Sequence, residues 1–118
     1  MPRFSLIDDS NRADHALLHA DDACLYLYEY TSGKNFAFSS TNSLINNLKK
    51  KPSLAGTSQY AYKAPAIDRC AREIREALVP AWVAEATFVP VPGSKALGDI
   101  DFDDRIERVC RGIGPHID

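Results

Sequence analysis

Apolar and polar residues alternate over 22–40, "DACLYLYEYTSGKNFAFSS", which predicts two strands around a turn. Leu25, Leu27 and Glu29 share one face, and Tyr26, Tyr28 and Tyr30 the other. Within "TSGKN", Gly33 can adopt the positive φ that the turn needs. The pattern then becomes helical. In "STNSLINNLKKKP", residues 40–52, Leu44, Ile45 and Leu48 form a stripe. Ser40 or Thr41 caps this helix, Lys49-Lys50-Lys51 complement its C-terminal dipole, and Pro52 stops it. Residues 53–63 are rich in turn formers and read as a mobile loop.

The clearest helix lies in "APAIDRCAREIREALVPAW", residues 64–82, with Ile67, Cys70, Ile74 and Leu78 on one stripe and Pro80 as its end. Asp68–Arg72, Arg72–Glu76 and Arg69–Glu73 are spaced to pair on its solvent side. "ATFVPVP", residues 86–92, reads as a short strand. Pro90 and Pro92 cannot donate to a ladder, so it lies at an edge or is ending. In the final helix, within residues 101–115, Phe102, Ile106, Val109, Cys110 and Ile113 fall on one side. Gly112 or Gly114 with Pro115 closes it. The order suits a small layered α/β or α+β domain over residues 1–118, with a short sheet and about three helices.

Charge and cysteine content narrow the function classes. A net charge of −2 argues against nonspecific nucleic-acid binding, which calls for a basic footprint. No run reaches the roughly 20 apolar residues of a membrane span. The N-terminus turns acidic where a signal peptide would need an apolar segment. Cys24, Cys70 and Cys110 are odd in number and widely spaced, which points to reduced core thiols and a cytoplasmic setting.

Three stretches offer chemistry, each with a structural reading beside it. Gly93-Ser94-Lys95 follows a strand and supplies backbone N–H groups, a glycine and a cation, the components of a phosphate grip; the alternative is a plain turn. The P-loop pattern is absent. Lys49-Lys50-Lys51 is either a helix end or a phosphate-binding patch. Asp99, Asp101, Asp103 and Asp104 resemble an EF-hand opening, but Asp104 stands where glycine is required and Cys110 where the bidentate glutamate belongs. Their structural reading is helix initiation, with Asp99 or Asp101 as cap and Asp103 and Asp104 in the first turn. Their chemical reading is a metal site of Asp101, Asp103 and Asp104, holding a Mg²⁺ carried by a phosphorylated ligand. His15 and His19 lack the H-E-x-x-H context of a zinc site.

"FVPVPGSKALGDIDFDDRIERV" resembles the first core strand and following loop of bacterial phosphoribosyltransferase-like proteins, in particular the competence-associated, amidophosphoribosyltransferase-like group. The likeness covers about 25 residues, 87–111. It implies that Val89-Pro90-Val91-Pro92 ends a strand and that Gly93-Ser94-Lys95 stands where such folds grip pyrophosphate. The ribose-phosphate signature of those enzymes has no counterpart, since Asp103-Asp104 has no apolar strand before it and no Thr-Thr-Gly after it. The resemblance therefore implies the front part of such a fold, binding phosphate or pyrophosphate without catalysing alone. From a different class, the alternative is a noncatalytic interaction module. Its strand edge at 87–91 and tyrosine face would pair with a protein partner or form a homo-oligomer.

Overall fold

A computed structural model of the chain describes residues 3–15 and 17–118. In chain order it contains β1 (Ser5–Leu6), β2 (Leu25–Tyr26), α1 (Ser40–Leu48), α2 (Lys63–Ala77), α3 (Pro80–Glu85), β3 (Thr87–Phe88), α4 (Arg105–Ile113) and β4 (His116–Ile117). Short 3-10 turns fall at Arg12–Asp14, Pro52–Leu54 and Gln59–Tyr62. Four helices and two two-stranded sheets among the described residues make this a small α+β domain. β1 and β2 pair antiparallel, whereas β3 and β4 pair parallel across α4.

The expected stripe on α2 becomes the centre of the core. Ala66, Ile67, Cys70 and Ala71 are buried against Leu44 and Leu48 of α1 and Val109 and Ile113 of α4. Small residues set the α2–α4 distance. A Cβ added at Gly112 would lie 2.7 Å from the Ala71 Cβ, so this glycine permits the close approach. On the outer face, Arg69 Nε donates to Glu73 at 2.5 Å, and the Tyr28 hydroxyl donates to the same carboxylate at 3.3 Å. Burial pushes the Tyr28 hydroxyl up, the nearby Cys70 and Glu73 charges adding to it.

Several local expectations are corrected. The hairpin over 22–40 does not form; β2 pairs with β1 instead, and 36–38 is turn. Asparagines account for this. Asn35 Oδ1 accepts the Ala37 N–H at 3.0 Å, taking a donor a second strand would need. The fully buried Asn42 accepts from Thr31 N at 2.9 Å and donates to Thr31 O at 3.1 Å and Asn35 O at 3.3 Å. The 31–35 turn is thereby pinned to α1, with Gly33 at φ 79° as anticipated. The cap of α1 is Ser39, whose hydroxyl accepts Asn42 N–H at 3.0 Å, one residue before the expected start.

The long helix ends at Ala77, and Pro80, at the first position of a helix, opens α3. β3 is two residues long. Pro90 and Pro92 deny it donors beyond Phe88, as the sequence implies. The aspartates do not start α4 in the expected way. The helix begins at Arg105 with Asp104 at its N-cap, whose side chain makes no capping bond. Asp103 Oδ1 accepts the Arg105 N–H at 3.1 Å instead, while Asp99 Oδ1 accepts Asp101 N at 2.8 Å within its own turn.

Candidate functional site

The end of α1, the loop after β3 and the start of α4 meet around a cavity of about 160 Å³. α1 stops at Leu48, which leaves Lys49 at its C-cap and Lys51 in extended backbone just before Pro52. These residues form one wall. Gly93, Ser94 and Lys95 form another, and Asp101, Asp103 and Arg105 complete the lining. Four cations therefore surround the cavity against two carboxylates. The loop lies beyond the carboxyl end of β3.

The two carboxylates are already engaged. Asp101 Oδ1 accepts the Ser53 N–H at 3.1 Å, tying the loop to the segment after α1. Hydrogen bonding from Ser53 lowers the Asp101 carboxyl below its usual range, with the Lys51 and Lys95 charges adding to the effect. Asp103 Oδ2 accepts from Lys63 Nζ at 2.7 Å and from the Arg105 guanidinium at 2.8 Å. Burial works to raise the Asp103 carboxyl, but the bonds from Lys63 and Arg105 outweigh it and hold the group low.

Lys63 is 2% exposed. Its ammonium also donates to Leu48 O at 2.7 Å and Lys50 O at 2.6 Å, so all three of its donors are used. It does for the end of α1 what the three lysines were expected to do. Lys50 turns away, donating to Gln59 O at 2.6 Å with its ammonium 5.1 Å from the Tyr62 ring centroid.

The structure thus brings Gly93, Ser94 and Lys95 together with Lys49, Lys51, Asp101 and Asp103. It does not bring the three proposed metal ligands together. Asp104 lines a neighbouring depression with Phe102 and Ile106, and among the described residues no group of three or more His, Cys, Asp or Glu side chains is arranged to hold a metal. Cys24, Cys70 and Cys110 are free thiols, Cys70 buried and the others half-buried. Burial raises both the Cys70 and Cys110 thiols.

Sequence reasoning missed Lys63 and Arg105. Lys63 closes a turn-rich stretch and carries no periodic or motif signal, while Arg105 reads as one more charge on an amphipathic helix. No helix among the described residues is long and apolar enough to cross a membrane. No family model matches the chain, and the comparisons with curated proteins and with solved structures gave no match.

Proposed function

We propose that this chain binds the phosphate or pyrophosphate group of a small molecule in the cavity between Lys49–Lys51 and Gly93–Lys95, in the manner of a phosphoribosyltransferase-like domain that does not catalyse alone. One observation carries the reading. The loop singled out by its glycine and lysine, and two of the three lysines singled out by their charge, Lys49 and Lys51, line the same cavity although more than forty residues separate them. Backbone N–H groups at Gly93 and Ser94 would donate to phosphate oxygens, and Lys49, Lys51, Lys95 and Arg105 would offset their charge. Any Mg²⁺ would arrive with the ligand and be held by its phosphates, with Asp101 and Asp103 the carboxylates in the lining.

Calorimetric titration with pyrophosphate, with and without Mg²⁺, tests this. The wild-type chain should bind, and added salt should weaken the binding because the partners are exposed charges. Lys95→Ala should reduce affinity roughly tenfold or more, on the scale of one charge-assisted hydrogen bond. Unchanged affinity in that variant, or no heat with the wild type, removes the assignment.

A second reading has its own support. Val89, Val91, Leu97 and Ile100 are exposed, up to 85% at Leu97, and β3 is paired on one side only. A homo-oligomer or protein partner covering this apolar run would make the chain an interaction module. Light scattering across a concentration series should then show self-association that Val91→Asp abolishes. A constant monomer mass leaves only a different partner.

A further inference from the structure

We propose that Lys63 is the positioning residue of this cavity: it stays clear of the ligand while neutralising the two negative features behind the site and holding its two walls together. The inference rests on the phosphate reading above. An anion placed at Gly93–Lys95 would meet two sources of repulsion. One is the C-terminal end of α1, whose last carbonyls lack intrahelical partners and carry the negative end of the helix dipole. The other is the Asp103 carboxylate, which lines the cavity itself. A single buried ammonium lies 2.6–2.7 Å from Lys50 O, Leu48 O and Asp103 Oδ2, and so answers both.

The same three bonds fix geometry. Leu48 and Lys50 flank Lys49, so holding their carbonyls holds the backbone from which Lys49 and Lys51 reach the cavity. Asp103, held by Lys63, in turn receives the Arg105 guanidinium and backbone N–H, which sets the opposite wall. Lys63 is not part of the cavity lining, and its donors are fully spent, so it has none left for a ligand.

The test titrates pyrophosphate into the wild type, Lys63→Met, Asp103→Asn and the double variant, with backbone amide exchange measured on each. Lys63→Met should weaken binding by roughly tenfold or more, because Asp103 is then countered by Arg105 alone. Adding Asp103→Asn should recover part of that loss, since the repelling charge is gone while the ties to Leu48 O and Lys50 O stay missing. A lysine that merely staples the fold predicts the reverse, a double variant no better than Lys63→Met, and that result overturns the proposal.

If Lys63→Met does not fold, Asp103→Asn alone decides. It keeps both carbonyl partners of Lys63, removes the repelling charge and should tighten pyrophosphate binding, whereas weakened binding overturns the neutralising role. Amide exchange should quicken at Ser53 and Arg105 in Lys63→Met while the Ile67 and Val109 amides stay protected. Unchanged exchange at both walls overturns the positioning role. A wild type that binds no pyrophosphate removes the phosphate reading, and exchange alone then decides whether Lys63 ties the walls.

Discussion

The α2–α4 seam and the loop from 89 to 104 belong to the same half of the chain but are held in opposite ways. The seam is buried, apolar and built of small residues, with Ala71 against Gly112 and Ile67, Val109 and Ile113 around them. The loop is exposed at every residue from Val91 to Ile100, and its long-range polar ties are Asp101 to Ser53 and Asp103 to Lys63. Stability resides where side chains pack densely. The proposed phosphate site lies where two hydrogen-bonded carboxylates anchor a segment that packing leaves free. Changes in one region should therefore leave the other largely untouched.

The strongest way to break the comparison is through the core. Ile67→Ala at a 2% exposed position should cost about 2–5 kcal/mol in denaturant unfolding. Gly112→Val attacks the same seam by overfilling it and should cost about 1–3 kcal/mol, read by the same unfolding curve. Acid probes the loop's anchor more gently. The folded Asp103 carboxyl titrates below its ordinary value of 3.8, so its stabilising contribution is present above that value. It is lost as pH falls through the lowered folded value. Asp103→Asn should flatten this part of the stability-against-pH curve, measured by thermal unfolding between pH 5 and 2. Smallest of all, Lys95→Ala should change unfolding stability by no more than about 0.5 kcal/mol while weakening pyrophosphate binding. A Lys95 variant that unfolds easily would join the two regions again.

What the sequence made legible follows this division. The α2 stripe, the Pro80 break, the short strand at Thr87–Phe88 and the α4 stripe all rest on periodicity and proline chemistry, which act locally. The hairpin over 22–40 was misread because Asn35 and Asn42 capture backbone groups that alternation assigns to a ladder. In the site, Gly93, Ser94 and Lys95 stood out by residue type, and so did the lysine run. Their convergence did not, because nothing in a linear pattern reports that residues 49–51 and 93–95 meet. The aspartates were read as helix starters for a related reason. Asp103 has a partner forty residues earlier, and its carboxylate serves that tertiary ammonium through Oδ2 as well as the Arg105 N–H through Oδ1.

The three acceptors of Lys63 reach it over very different chain separations. Leu48 O and Lys50 O lie 15 and 13 residues back, so the α1–α2 corner can form early around the ammonium. Asp103 arrives only with α4, 40 residues on. That separation predicts that the closing bond forms late in folding, after the main barrier. Its loss in Asp103→Asn should speed unfolding and leave the refolding rate almost unchanged in stopped-flow measurements. A slowed refolding rate would place that bond in the nucleus. The cavity's lifetime, more than its rate of formation, is then what one carboxylate governs.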